Sequence, residues 1–187
     1  SDLSGRMDHV SPTIELNPIS EDDLPFWEEL LAQQETREHQ PLQERTEEEL
    51  HQHLKRYTEH NLGHPHHREY KWVVIDTKSL ERVGEVSFDK LDIGQKIGRI
   101  GYSIAPGWWG KGFGTAVVGA MVDKIFSESD CQRIEAECSI HNPASRRVLE
   151  KNGFTREGTK RGYLEIHGER VDHYSFGLLK ENWEKQR

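Results

Sequence analysis

The chain has 187 residues, long enough to bury one sizeable core, so we expect a single domain over residues 10–187 behind a mobile leader or remnant at residues 1–9. Its net charge of −8 argues against a nucleic-acid-binding surface, because binding to phosphate backbones depends on accumulated Lys and Arg. No stretch approaches the ~20 apolar residues of a membrane-crossing helix, and two cysteines make no disulfide framework, so we expect a cytoplasmic protein without a membrane partner.

The first half of the chain predicts two helices and a hairpin. A strand is expected at residues 13–16, a helix at 21–34 and a second helix at 47–59, where acidic residues follow a threonine as they do at helix starts. Residues 71–76 and 82–91 then alternate as a hairpin, followed by a strand at 96–104. The histidine-rich loop over 60–67 lacks Cys, Asp or Glu at a recognised ligand spacing, so we predict a solvated loop and no metal site.

The most informative segment spans residues 100–115, where a strand enters a glycine-spaced turn and then a strong helix, expected at 113–127. Gly110, Gly112 and Gly114 allow a tight turn with exposed N–H groups, and the helix adds unpaired donors and the positive end of its dipole. These features are typical of an anion site, with a plain connector as the alternative. Lys111 lies between glycines, so the segment is neither a Walker loop nor a dinucleotide-binding fingerprint.

A second cluster predicts a strand followed by a short helix. Alternating residues over 133–140 indicate a strand with one apolar face, and Asn142 is a good N-cap for a helix over 143–151, in whose first turn Ser145 lies. Two late strands are expected around 154–163 and 170–179. This order of elements implies an α/β (α+β) fold with a mixed, mostly antiparallel central sheet flanked by helices.

Together these motifs resemble the GCN5-related N-acetyltransferases (GNAT), specifically their ribosomal-protein N-terminal acetyltransferase (Rim-type) branch. The resemblance rests on the order and spacing of the motifs and covers roughly residues 13–183. The motifs are the strand with Tyr102, the turn at 109–114, the segments 142–145 and 150–154, and the late pair Asp172 and His173. The resemblance implies the GNAT fold and acetyl-CoA as co-substrate, without a metal.

The resemblance also assigns cofactor contacts to individual positions. The turn would hold the CoA pyrophosphate through backbone N–H groups, and a bulge in the strand over 99–104 would leave an edge for pantetheine. An N–H near the end of that strand would polarise the thioester oxygen. For the helix-cap asparagine, capping and contact with the CoA arm are compatible. The implied cofactor-binding residues are Ser103, Ile104, Trp109, Gly110, Lys111, Gly112, Phe113, Gly114, Thr115 and Asn142.

Catalytic roles follow in the same way. The family's hydroxyl that matches Ser145 lies near the thioester sulfur, so Ser145 is expected to protonate the leaving thiolate, with a purely structural first-turn residue as the alternative. Glu137 is the first candidate for the base that takes the acceptor's proton and Glu135 the second, because both point to the more polar face of their strand. The alternative is that both are surface acids. The later acids Glu165 and Glu169 do not align with an acid that related sequences sometimes carry.

One position departs from the family's pattern. Trp109 stands where the family usually has Arg or Gln, and an indole cannot make the same polar contact. Lys111 is expected to supply the positive charge instead, while Trp108 or Trp109 covers the turn or lines the substrate groove.

Two functions remain open on the sequence. The first is an acetyl-CoA-dependent N-acetyltransferase whose acceptor, a protein N-terminus or small-molecule amine, attacks the thioester directly, in a monomer or homodimer. The second is a non-catalytic acyl-CoA-binding or sensing module, which the Trp109 departure and the poorly determined base favour. Turnover distinguishes the two.

Overall fold

The computed structural model describes residues 11–187, so the leader expected at residues 1–9 lies outside the described residues. Seven strands form one sheet in the order β1-β2-β3-β4-β5-β7-β6. Neighbouring strands are antiparallel except β4 and β5, which are parallel, and this confirms the mixed, mostly antiparallel sheet. The strands are β1 (Ile14–Pro18), β2 (Glu69–Asp76), β3 (Arg82–Asp92), β4 (Ile97–Ile104), β5 (Arg133–Ser139), β6 (Thr155–Ile166) and β7 (Glu169–Leu179).

Five α-helices accompany the sheet within the described residues. The expected bounds of the third and fourth are confirmed to within one residue, whereas the first two are shorter than expected and the fifth was not predicted. Pro25 has no N–H for a helical hydrogen bond, so the first α-helix begins just before it, after a 3₁₀ turn. The helices are α1 (Leu24–Ala32), α2 (Glu47–His53), α3 (Phe113–Glu128), α4 (Pro143–Lys151) and α5 (Lys180–Lys185). No helix among residues 11–187 is long and apolar enough to cross a membrane.

The sheet is buried on both faces around β2. Alternate β2 residues enter two cores, so that Trp72 and Val74 pack in the core that contains α3, while Val73 and Ile75 pack against α1 and α2. The predicted apolar face of α3 is confirmed, since its residues on that side are buried. These buried α3 residues are Phe113, Val117, Val118, Met121, Val122, Ile125 and Phe126. The start of α3 is therefore fixed relative to β4.

Strands β4 and β5 diverge near the middle of the sheet. Their parallel ladder ends at the pair Arg99↔Glu135, although β4 continues to Ile104 and β5 to Ser139. The bulge expected over residues 99–104 is wrong, because the register of β4 with β3 is regular from Gly98 to Ile104 and shifts only at the far end of β3. The free edge of β4 arises from divergence of the strands.

Gly98 sits where β4 crosses a buried aromatic ring. A Cβ at this position would overlap the ring of Phe88, which is fully buried. We therefore expect Gly98→Ala to lower the free energy of unfolding by about 1–3 kcal/mol through overpacking. Urea denaturation measures the change. The control is Gly158→Ala, where a Cβ would meet no atom within 4 Å; equal stability of both variants and the wild type would contradict this account of Gly98.

Candidate active site

A cleft of about 890 Å³ lies where β4 and β5 diverge. Its walls come from the diverging strands, the starts of α3 and α4, the segment over residues 35–41, and side chains of β6 and β7. Every expected site residue borders it except Lys111 and the second candidate base, Glu135. The residues that line it include Glu35, Glu38, His39, Gln40, Asp89, Arg99, Tyr102, Ser103, Ile104, Trp109, Gly110, Gly112, Phe113, Gly114, Thr115, Glu137, Ser139, Asn142, Ser145, Tyr163 and His173.

The turn before α3 presents main-chain donors to this cleft. Gly110 and Gly112 have φ of 75° and 87°, a left-handed conformation that glycine adopts without strain. Gly112 is the N-cap of α3 and has no side chain to bond the first N–H groups. The N–H groups of Phe113, Gly114 and Thr115 have no acceptor within the helix, because intrahelical bonding starts with Ala116 N–H to the Gly112 carbonyl. The turn can therefore hold an anion through its backbone.

The strand β4 offers a second set of donors along its free edge. Ala105 N–H donates to the Val83 carbonyl at 2.8 Å, next to the pair Gly84↔Ile104. Hydrogen-bonded pairs alternate along an antiparallel ladder, so Ser103 bonds to β3 while the N–H groups of Tyr102 and Ile104 point toward β5. Because β5 has diverged there, these two N–H groups face the cleft. Of the two residues expected at the thioester oxygen, Ile104 has the suitably directed N–H.

The carbonyls on this edge already have partners. The indole N–H of Trp109 donates to the Ile104 carbonyl at 2.7 Å, and the Gln40 amide donates to Ser103 Oγ at 3.0 Å and to the Tyr102 carbonyl at 3.4 Å. Trp109 thus braces the glycine turn against the end of β4. Lys111 Nζ lies 5.1 Å from the centre of the Trp108 ring.

Two hydroxyl groups meet where α3, α4 and β4 come together. Tyr102 Oη and Ser145 Oγ are 3.1 Å apart, within hydrogen-bonding distance. Asn142 Oδ1 accepts from Ser145 N–H at 3.2 Å, so the expected helix cap is confirmed. Burial raises the pKa of Tyr102 to about 12, so its phenol is protonated at physiological pH and can donate. The sequence assigns Tyr102 no role, because its hydroxyl partner Ser145 is 43 residues away in the chain.

Gly114 allows the start of α3 to lie close to α4 and to the ring of Tyr102. A Cβ at Gly114 would lie 3.2 Å from Val148 of α4 and 3.6 Å from the ring of Tyr102. The first turn of α3 therefore packs directly on α4 and on the tyrosine ring. The anion-binding turn and the hydroxyl pair are held as one rigid unit.

The structure brings Glu137 into the cleft and leaves Glu135 outside its lining. Glu137 accepts from Lys160 Nζ at 2.9 Å, and Arg99 Nη1 lies 4.0 Å from the same carboxylate. Glu135 is paired with Arg133 at 3.0 Å, and Arg133 also binds Glu157. Both acids are therefore engaged in ion pairs.

The neighbouring residues Asp172 and His173 of β7 make different contacts. Asp172 Oδ1 accepts from Gly162 N–H at 2.7 Å, which anchors the irregular part of β6 over residues 160–164. His173 points to the opposite face, is only 3% exposed and borders the cleft. Its Nδ1 lies 2.9 Å from the Val171 carbonyl, and its ring packs edge-on against Tyr163. Alternation along β7 is the sequence signal that separates the two residues.

Comparison with known proteins agrees with this arrangement. The family model described as the acetyltransferase (GNAT) domain matches residues 13–155. The uncharacterised N-acetyltransferase p20 of Bacillus licheniformis is 31% identical over 113 residues, which are 60% of this chain and 64% of that protein. The [ribosomal protein uS5]-alanine N-acetyltransferase of Escherichia coli is 30% identical over 111 residues, 59% of this chain and 57% of that protein. The chain thus spans less than two thirds of the length of these relatives.

Solved structures show the same fold. Spermidine N-acetyltransferase from Vibrio cholerae, in complex with CoA and spermine, superposes with a TM-score of 0.79 at 21% identity, over 91% of this chain and 98% of that one. A GNAT-family acetyltransferase from Bacillus anthracis gives a TM-score of 0.78 at 23% identity, over 92% and 98%. The resemblance to the GNAT family, with ribosomal-protein acetyltransferases among the relatives, is confirmed. The chain belongs to the GNAT acetyltransferase family.

Proposed function

We propose that this chain is an acetyl-CoA-dependent N-acetyltransferase that acetylates a primary amine by direct attack on the thioester. One observation carries the proposal: the anion-binding turn, the free edge of β4 and the Tyr102–Ser145 hydroxyl pair all face a single cleft. A binding module needs the turn and the edge, whereas paired hydroxyls beside them suit a reaction in which negative charge develops on a leaving group.

The residues present fit acetyl-CoA, which supplies an activated acetyl group when bound. The turn at Gly110 and Gly112 and the first N–H groups of α3 would hold the pyrophosphate, and Lys111 adds positive charge nearby. The free β4 edge at Tyr102 and Ile104 would pair with the pantetheine amides as a neighbouring strand does. Asn142 caps α4 through Oδ1, and its amide nitrogen is available to the CoA arm.

The side chains and main chain divide the chemistry. Ile104 N–H would donate to the thioester oxygen, which becomes more negative as the amine attacks. Ser145, bonded to Tyr102, would donate to the leaving sulfur. Glu137 stays a candidate for proton removal, although its carboxylate already accepts from Lys160.

The acceptor half of the cleft suits a cationic amine. Glu35, Glu38, Asp89 and Glu137 line it, and Asp89 makes no ion pair within 4.0 Å in the described residues. Burial raises the pKa of Asp89, although Arg99 acts in the opposite sense. A protein N-terminus or a small-molecule amine is therefore proposed as acceptor, in a monomer or homodimer.

Both cysteines, Cys131 and Cys138, are buried thiols, which supports a reducing compartment such as the cytoplasm.

A thiol-release screen tests the proposal. Peptides, polyamines, aminoglycosides and amino acids are each offered with acetyl-CoA, and the transferase is expected to release CoA thiol with at least one class and to yield the acetylated amine by mass spectrometry. Binding of acetyl-CoA without turnover of any class would instead establish the acyl-CoA-binding module.

The glycine turn gives a prediction for cofactor binding. Gly112→Asp adds a side chain and a negative charge where the pyrophosphate is expected, so the Kd for CoA should rise at least tenfold beyond that of Gly112→Ala, which tests strain alone. Calorimetry measures both values. Gly158→Asp places the same charge on exposed β6 and should leave the Kd unchanged. Equal affinities of folded Gly112→Asp and Gly112→Ala would show that the pyrophosphate binds elsewhere.

The hydroxyl pair gives a prediction for turnover. Ser145→Ala should lower kcat by roughly ten- to a thousandfold with little change in the Kd for CoA, because the leaving sulfur loses its donor. Tyr102→Phe should also lower kcat. Tyr102 can donate to Ser145 only while its phenol is protonated, and that proton is lost only as the pH approaches about 12. The wild-type advantage over Tyr102→Phe should therefore persist to at least ~pH 10. Steady-state rates across this pH range decide, and an unchanged kcat in both variants would leave the pair a structural contact.

A further inference from the structure

The position of His173 places it beside the reacting end of the cleft. Strands β4 and β5 are parallel with Arg99 opposite Glu135, so Ser139 lies at the height of Ser103, at the end of β4 where the thioester is expected. Ser139 pairs directly with His173 on β7. His173 is thus one strand spacing, about 5 Å, beyond β5. An amine entering the gap between β4 and β5 at this height comes within reach of the imidazole directly or through one water.

The hydrogen bond of His173 determines which ring nitrogen is available. Nδ1 lies 2.9 Å from the Val171 carbonyl, and a carbonyl can only accept, so Nδ1 carries a proton. In the neutral ring Nε2 is then the proton acceptor. Nε2 has no hydrogen-bond partner among residues 11–187. The backbone bond and the edge-on contact with Tyr163 hold the ring in this orientation.

The carboxylates in the region are less suited to the task. Glu137 accepts from Lys160 and lies near Arg99, and Glu135 is bound to Arg133 outside the cleft lining. Asp89 has no ion-pair partner among the described residues, but it lies opposite Arg99 in the β3–β4 ladder. Arg99 is four residues before Ser103 on β4, which is about 13 Å along the strand. A base at that distance does not reach an amine at the end of β4.

We infer that His173 is the general base that removes the acceptor's proton, an inference that rests on the proposed transferase function. His173 Nε2 takes a proton from the acceptor's ammonium group, and the nitrogen lone pair that this frees forms the new C–N bond to the acetyl carbon. The nitrogen loses its second excess proton to solvent as the amide forms. The C–S bond breaks with its electron pair on sulfur, and the sulfur takes a proton from the Ser145 hydroxyl. Tyr102 replenishes that hydroxyl, and a proton from solvent then restores the Tyr102 phenol. The products are an N-acetyl amine and free CoA thiol, and His173 returns its proton to solvent.

Several charged and titratable groups face His173. Lys160 of β6 pairs with His173, Glu137 lies two residue pairs along β5 from the Ser139–His173 pair, and Tyr163 contacts the His173 ring. Across the cleft stand Glu38 and His39 from the segment over residues 35–41. Lys160 and Glu137 neutralise each other at 2.9 Å. The surroundings of the His173 ring therefore carry charges of both signs, and only an unprotonated Nε2 can take the acceptor's proton.

The test compares kcat/KM against pH for wild type and His173→Asn with the best acceptor from the screen. Asn keeps a donor near the Nδ1 position for the Val171 carbonyl and removes Nε2. At neutral pH kcat/KM should fall about 10²- to 10⁴-fold with an unchanged Kd for CoA. The deficit should shrink as the pH approaches the amine's own pKa, since free amine needs no base before attack, and should be smaller with an arylamine of low basicity. His66→Gln, in an exposed loop away from the cleft, is the control.

Different results overturn different conclusions. A folded His173→Asn that keeps kcat/KM within threefold, or a deficit that is the same at every pH, overturns the base assignment and leaves the transferase intact. Glu137→Gln is measured in parallel, and a loss there without a loss in His173→Asn transfers the role to Glu137. Should His173→Asn not fold, His173→Gln, which also lacks a basic ring nitrogen, is measured in its place, and the same outcomes decide. Wild type that binds acetyl-CoA and acetylates no amine overturns the transferase itself.

Discussion

The early end of the β4–β5 ladder is the constraint on which the rest of the site depends. A backbone edge in the middle of a sheet leaves polar groups that need partners, and most buried N–H and C=O groups in proteins have them. Here the Gln40 amide and the Trp109 indole bond two carbonyls of the edge, whereas the N–H groups of Tyr102 and Ile104 receive no partner from β5. The protein thus supplies donors to the carbonyls of this edge, whereas its N–H groups gain no acceptor from β5. A ligand with amide carbonyls or a developing oxyanion would accept from these N–H groups.

Divergence of the strands also separates the chemistry onto two faces. Tyr102 and Ser145 lie on the side of α3 and α4, where the sulfur of a bound thioester would leave. His173, Glu137 and Lys160 lie on the opposite side, beneath the segment that contains Gln40. In the proposed reaction, a nucleophile from one face would meet a leaving group on the other, which suits direct transfer without a covalent enzyme intermediate. The donor of a proton and its acceptor do not compete for the same space.

Local patterns predicted most of the elements, and distant contacts explain what they missed. The cap at Asn142, the apolar face of α3 and the alternation of β5 are determined within a few residues, and the structure has them where the sequence places them. The Tyr102–Ser145 contact joins residues 43 apart, and His173 reaches the cleft only through the order of β5, β7 and β6. The divergence of β4 from β5 has no local signature, so the glycines of β4 suggested a bulge, whereas Gly98 instead makes room for Phe88.

At Trp109, where the chain departs from the family's pattern, the indole makes a contact within the protein. The Trp109 indole N–H donates to the Ile104 carbonyl, 2.7 Å away. The bond fixes the end of β4 relative to the glycine turn, so the Ile104 N–H and the first N–H groups of α3 keep a constant separation. In the proposed transferase, binding of the pyrophosphate would depend on main-chain donors that a side-chain substitution does not remove. The Arg or Gln that the resemblance implies at this position would then matter less, because the Trp109 contact already braces the turn before a ligand arrives.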